Sequence, residues 1–226
     1  MNAVFVAGAH TDVGKTHVAC ALIEAARAGG RSVEALKPVV SGFDPADWGG
    51  SDPGRLLAAL GRAPTEAALA AISPWRFVAP LAPPMAARRE GRALVLAGIA
   101  AFCRRRLAEV SADFALVEGV GGLMSPIADD ATGLELMTAL GLPAILVGGS
   151  YLGAISHTLT ALDSARGRGL AVQAVVVSQS AEREAPDFAE TMADVRRFAA
   201  GVPVIGAPRT GAADGWAAAT LALLRA

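Results

Sequence analysis

An excess of either charge is missing from this chain: 20 Lys and Arg stand against 21 Asp and Glu, a formal net charge of −1. That balance excludes a broad basic face for nucleic acid. The run Arg104-Arg105-Arg106 is too short to change this, and it reads as the solvated side of a helix containing Ala100 to Glu109. Apolar runs long enough to span a membrane are also missing. Cysteine is scarce: Cys20 and Cys103 stand among apolar residues of predicted helices. This predicts buried free thiols in a reducing compartment, not a disulfide. His10, His17 and His157 are scattered and form no zinc-binding pattern. No signal peptide is legible, because strand-like sequence begins almost at once. A cytoplasmic protein that binds neither nucleic acid nor membrane is expected.

What the chain does have is apolar substance. Of its 226 residues, 53% are hydrophobic and 18% charged, enough for a sizeable α/β core. The organising stretch is Gly8-Ala9-His10-Thr11-Asp12-Val13-Gly14-Lys15-Thr16. A strand-like run, Ala3 to Ala7, precedes it. Val18, Ala19, Leu22, Ile23 and Ala26 follow at helical spacing, and Gly29-Gly30 supplies a stop. Strand, glycine-bounded loop, Gly-Lys-Thr and helix make a phosphate-binding loop. Its backbone N–H groups and the helix N-terminus form a concave anion site. Lys15 is expected on the outer phosphates and the Thr16 hydroxyl on Mg2+. The spacing departs from G-x-x-x-x-G-K-T, with Gly8 one residue early and Ala9 in the usual glycine's place.

Ser32 to Leu36 reads as a second strand, closed by Pro38, which disfavours helix at Lys37. Strand C-termini of open α/β sheets face the ligand crevice, so Lys37 and Ser41 are candidates for substrate handling. Lys37 reads equally as a solvated loop lysine. The Gly- and Asp-rich loop from Phe43 to Gly54 leads into a short helix at Asp52. Asp52 is either a helix cap or first-turn acid, or a Mg2+ ligand. The proline-dense segment Ser73 to Pro84 either walls an apolar ligand site or covers the core. A helix is expected from Leu94 to Glu109.

Asp113 to Val117 is a buried-type strand with Glu118 at its end and Gly119, Gly121 and Gly122 beyond. A strand places a carboxylate beside nucleotide-bound Mg2+ in this way, and the glycines allow close backbone approach to phosphate or substrate. The alternative is a strand-terminal acid beside a flexible turn. Further strands are expected at 143–149, 171–177 and 202–206, and helices from Tyr151-Leu152-Gly153 through Ala161, from Asp187 to Ala200 and from Asp214 to Arg225. Strands alternate with helices, and strand runs are continuous. The fold class predicted is α/β, a parallel sheet of phosphate-loop NTPase type covered by helices on both faces. No repeat, low-complexity tract or linker divides the chain, so residues 1–226 are expected to form one domain.

Taken in order, these residues resemble the dethiobiotin synthetase family over nearly the whole chain. The likeness rests on Gly8 to Thr16 with its early glycine, Lys37-Pro38-Val39 with Ser41-Gly42, and Ser51-Asp52. It continues through Pro74, Phe77 and Pro80, then Val117-Glu118-Gly119 with Gly121-Gly122, Leu152-Gly153 and His157. The resemblance implies an ATP-dependent ligase of biotin biosynthesis that closes a urea ring on 7,8-diaminopelargonate with CO2. It implies Asp12, Val13, Gly14, Lys15, Thr16 and His17 at the nucleotide, with Ser178 at its base. Thr16, Asp52 and Glu118 would ligate Mg2+. Lys15 and Lys37 would serve catalysis, and Thr11, Lys37 and Ser41 the diamine. It also implies a homodimer in which Tyr151, Leu152 and Gly153 hold the substrate carboxylate across the two-fold.

Departures are His10, where the family carries a short acid or small residue, and Ser178, where well-known members have Asn. An alternative is a nucleotide-switch ATPase of the plasmid-partition or septum-positioning type. Those usually carry a lysine where His10 stands. A cobyrinate-amidating enzyme needs a further glutamine-hydrolysing domain for which 226 residues leave no room.

Overall fold

The computed structural model describes residues 2–182, 184–209 and 214–224. Strand β1 (Asn2–Gly8) leads into the phosphate loop and lies between β5 (Phe114–Glu118) and β8 (Ala144–Gly148). Beyond β5 lies β2 (Val33–Leu36). Beyond β8 come β9 (Val172–Ser178) and β10 (Val204–Ala207). All six strands are parallel, in the order β10-β9-β8-β1-β5-β2. They are apolar along both faces: Val4, Val6, Leu116, Val117, Ile145 and Val175 are all fully buried. That is the pattern of a parallel sheet with helices on both sides. Because the strands run one way, their C-terminal ends gather at one edge. Gly8, Lys37, Glu118, Gly148 and Ser178 therefore meet there from distant parts of the sequence.

Helix α1 (Lys15–Ala28) packs against α2 (Asp52–Ala59) and α9 (Asp214–Leu223). The predicted end of the last helix, Arg225, lies outside the described residues. Helix α5 (Leu96–Glu109) begins two residues later than the expected Leu94. Its first free N–H, on Leu96, is satisfied by the Asp130 carboxylate at 2.9 Å, a cap from a remote part of the chain. Arg104 and Arg105 are exposed on this helix, as expected. Helices α7 (Ala154–Gly167) and α8 (Phe188–Phe198) pack together, the latter capped by Asp187 on the Glu190 N–H.

Seven short elements are absent from the sequence expectation. Lys37-Pro38 does not simply end a strand. The chain continues extended into β3 (Val39–Ser41), paired in parallel with β4 (Trp75–Phe77) inside the proline-dense segment. Pro83 and Pro84 open α4 (Pro83–Arg89), where the missing proline N–H costs nothing. Helix α3 (Glu66–Ile72) is capped by Thr65, and α6 (Gly133–Leu140) by a reciprocal Thr132–Glu135 capping box. The hairpin of β6 (Pro126–Ala128) and β7 (Ala131–Thr132) precedes α6. Cys20 is half-buried, not buried as expected, and Cys103 is buried. Both are free thiols, and burial pushes each up to about 12. No helix among the described residues is long and apolar enough to cross a membrane.

Candidate functional site

The phosphate loop closes on itself through glycine. Helix α1 starts at Lys15, and Gly14 before it takes φ +93°, a conformation costly for any side chain. The Lys15 stem then folds back across Gly8. A Cβ on Gly8 would stand 2.7 Å from Lys15 Cδ and 2.9 Å from the Gly121 carbonyl. This is the physical reason for the early glycine that the common motif lacks. The glycines after Glu118 admit the loop itself: a Cβ on Gly122 would lie 3.0 Å from the Ala9 carbonyl. The Leu123 N–H bonds the Gly8 carbonyl at 2.7 Å, and the Ala9 N–H bonds that of Val147 at 2.8 Å.

Around this loop lies a cavity of about 310 Å3. The lysine after β2, the acid opening α2 and the acid ending β5 converge in it. Lys37 is fully buried. Its Nζ donates to Glu118 Oε1 at 2.6 Å and to the Gly119 carbonyl at 3.0 Å, and it pairs with Asp52 Oδ2 at 3.0 Å. The Thr16 hydroxyl donates to the same Glu118 oxygen at 2.7 Å. Burial opposes the charge on Lys37, but Glu118 and Asp52 outweigh it and raise the lysine's pKa. Burial likewise opposes ionisation of Asp52. Lys37, with a smaller contribution from Thr16, reverses this and holds the carboxyl below its ordinary range. Of the readings given for Asp52, the structure shows the first-turn acid. Ser51 is the N-cap, accepting from the Gly54 N–H at 3.2 Å, and Asp52 aims at Lys37 from the first turn. Among the described residues, buried Glu118 Oε2 has no hydrogen-bond partner, an expensive condition unless something else binds it.

Lys15 is in the opposite electrostatic condition. Its Nζ donates to the His10 carbonyl at 3.1 Å and, among the described residues, forms no ion pair. Burial, then the neighbouring Lys37, pushes it down to about 8. A phosphate would bind the protonated form, so a nucleotide seated on Lys15 would draw a proton onto it above about pH 8. ADP affinity is therefore expected to fall as pH rises through this region. Calorimetry at pH 8.5 in two buffers of different ionisation enthalpy should register net proton uptake on binding. Uptake of none would remove Lys15 as the coupled group.

Of the residues singled out from sequence, Thr11, Asp12, Gly14, Lys15, Thr16, His17, Lys37, Ser41, Asp52 and Glu118 all line this cavity. The Val13 side chain is buried in the core instead. Ser178 is buried beneath the loop, its Oγ 2.4 Å from where a Cβ on Gly14 would stand. Tyr151 lines an adjoining hollow with His10, and Leu152, 88% exposed, projects from the start of α7. The histidines are less scattered than the sequence suggests. The His10 and His157 rings stack at 5.2 Å and 9°, and Tyr151 Oη bonds His157 Nδ1 at 2.7 Å. No cluster of three or more His, Cys, Asp or Glu side chains occurs among the described residues. Sequence reasoning missed Arg55 and Arg209 in the cavity wall. Arg55 was findable, since it stands three residues after Asp52 on the same helix face. Arg209 has no sequence signal.

A family model described as an AAA domain matches residues 2–207. The ATP-dependent dethiobiotin synthetase of Phenylobacterium zucineum is 59% identical over 226 residues, covering all of this chain and 96% of that one. That of Caulobacter vibrioides is 54% identical over 211 residues, covering 93% and 94%. Among solved structures, the Archaeoglobus fulgidus hydrogenase maturation factor HypB superposes with TM-score 0.58 at 16% identity, over 99% of this chain and 90% of that one. A chain of the Aquifex aeolicus MinC:MinD cell division complex gives 0.60 at 10% identity, over 100% and 94%. Likeness at such identity shows a shared phosphate-loop fold and does not favour the nucleotide-switch alternative. The relatives that match over the whole chain settle its kinship: it belongs to the ATP-dependent dethiobiotin synthetase family.

Proposed function

We propose that this protein converts 7,8-diaminopelargonate, CO2 and ATP into dethiobiotin, ADP and phosphate. The observation that carries the reading is the convergence of two buried lysines, Lys15 and Lys37, on one phosphate-loop cavity that also holds the Thr11 and Ser41 hydroxyls. One substrate amine adds to CO2 and loses a proton, giving a carbamate. A carbamate oxygen attacks the γ-phosphorus and ADP leaves, forming a carbamic-phosphoric anhydride. The second amine attacks the carbamoyl carbon, the C–O bond breaks, and phosphate departs as the five-membered urea closes. The protein needs no covalent nucleophile for this, only positioning and charge stabilisation. Lys15 serves the nucleotide phosphates and Lys37 the charge that develops on the carbamate and γ-phosphoryl group. Thr11 and Ser41 orient the diamine. Purified protein incubated with diaminopelargonate, bicarbonate, Mg2+ and ATP should yield dethiobiotin by mass spectrometry. ATP turnover without that product would reject the reading.

We also assign Thr16, Asp52 and Glu118 as the Mg2+ ligands. A hydroxyl and two carboxylates beside nucleotide phosphates are the hard-oxygen set this ion takes, and the unpartnered Glu118 Oε2 fits it. The ion would supply charge neutralisation on the transferring phosphate. We take the chain to be one cytoplasmic domain that acts as a homodimer. Tyr151, Leu152 and Gly153 would meet the substrate carboxylate of the partner's site, which accords with the exposure of Leu152. Light scattering on the active enzyme should give twice the chain mass; a fully active monomer contradicts the assignment.

The base is expected to be weakly read. Ser178, buried under Gly14, cannot span two atoms of adenine. The Gln179 amide oxygen already accepts from the Arg209 N–H at 3.1 Å. A paired amide–adenine match is worth about 1–3 kcal/mol on base edges. Without it, GTP and CTP should support product formation within about a hundredfold of ATP, and Ser178→Asn should shift the ratio if Asn finds room beside the loop. A wild-type preference above about a thousandfold in kcat/KM, or ~4 kcal/mol, would show that another group reads the base.

A further inference from the structure

We infer that Lys37 is the resident counter-ion of the metal carboxylates: its ammonium takes the divalent cation's place on Asp52 and Glu118, and arrival of the metal-bound nucleotide expels it into the substrate cavity. The inference rests on the metal assignment above. Lys37 Nζ bridges the two acids, 2.6 Å from Glu118 Oε1 and 3.0 Å from Asp52 Oδ2, and shares the Glu118 oxygen with the Thr16 hydroxyl. Both carboxylates assigned to Mg2+ thus hold this ammonium, with the Gly119 carbonyl at 3.0 Å as its third acceptor, and the Thr16 hydroxyl reaches it only through the shared Glu118 oxygen. A Mg2+ ion contacts its oxygens at about 2.0–2.1 Å. An ammonium hydrogen-bonded to those same carboxylates would then stand against a doubly charged neighbour inside a buried site, where like charges are least screened.

The backbone cannot yield to relieve that conflict. The Lys37 N–H is bonded to the Ile72 carbonyl at 3.0 Å, Pro38 follows, and β3 then pairs with β4. Only the four-carbon stem is free to move, and the open side is the cavity that holds Thr11 and Ser41. Lys15 does not play this part: its ammonium donates to the His10 carbonyl and, among the described residues, pairs with neither acid. The consequence is an order of events. Before metal and nucleotide arrive, Lys37 compensates the carboxylates and is withheld from substrate. After they arrive, it is available to the reacting carbamate.

Two measurements test this, neither of them an activity assay. Without nucleotide, Mn2+ binding followed by electron paramagnetic resonance should be at least tenfold tighter in Lys37→Met than in the wild type. That gain should vanish in the Lys37→Met/Glu118→Gln double variant. In the wild-type protein with ADP, reductive methylation of Lys37 read by mass spectrometry should be several-fold faster with Mg2+ than with a chelator. This arm holds even if the variants fold poorly. Equal Mn2+ affinity in Lys37→Met and wild type, or a Lys37 methylation rate indifferent to Mg2+, would overturn the exchange. A protein that makes dethiobiotin but shows neither effect loses this inference and keeps the functional reading. One that shows both effects but makes no dethiobiotin does the reverse.

Discussion

Lys37→Ala is expected to lower kcat at least a hundred- to thousandfold per folded molecule, the scale of losing one preorganised charge stabiliser, ~2.7–4 kcal/mol. ADP affinity should change much less, because the charge that Lys37 is proposed to meet would develop during transfer. Lys15→Ala should lose both turnover and nucleotide affinity, since in the proposed mechanism its ammonium would serve the phosphates in ground and transition states alike. The comparison must be made per folded molecule. Lys37 is the cation between two acids, one of them fully buried, and its removal leaves them uncompensated at a cost of about 3–5 kcal/mol. Titrating ADP calorimetrically beside the kcat measurements separates the two roles. Near-normal turnover of Lys37→Ala would remove it from the catalytic set, and equal ADP affinity losses in the two variants would deny the division of labour.

Glu118→Gln and Asp52→Asn should each weaken Mg2+-dependent turnover by an order of magnitude or more, by taking one negative charge from a hard-cation site. Their stability effects should differ. The Glu118 side chain is fully buried, against 39% exposure for Asp52. Glu118→Gln therefore leaves a buried ammonium short of its closer partner and should destabilise by up to about 3 kcal/mol. Asp52→Asn should cost little. Thermal melts beside Mg2+ titrations of kcat resolve this. If Asp52→Asn lowered only the melting temperature, with activity per folded molecule unchanged, Asp52 would be a structural partner of Lys37 and not a metal ligand.

The fold was legible where an element's own residues specify it. The apolar runs before Gly8 and Glu118, and the helical spacing after Lys15, needed no outside partner to be read. Elements set by contacts from elsewhere escaped. β3 and β4 are three residues each and exist because they pair with one another across an intervening helix pair. Helix α5 starts where a remote aspartate caps it. Helix α6 did carry a local signal, the Thr132–Glu135 capping box, but its eight residues are too few for periodicity to stand out. The site was legible by position: strand ends of a parallel sheet share one edge, so Lys37, Glu118 and the loop had to be neighbours. What sequence could not give was the pairing inside it. Nothing in the spacing shows that Lys37 pairs with both Asp52 and Glu118, or that His10 and His157 stack.

The central claim is that the phosphate released comes from a carbamate that ATP has phosphorylated. It is tested most directly by following oxygen. With 18O-labelled CO2 in ordinary water, assayed before the label exchanges with solvent, the attacking carbamate oxygen becomes the bridging oxygen of the anhydride and leaves with phosphorus. One 18O atom per inorganic phosphate, formed in step with dethiobiotin, is the expected result. Phosphate carrying only solvent or ATP oxygen under the same conditions would show that water, not the carbamate, attacks the γ-phosphoryl group, and would contradict the account.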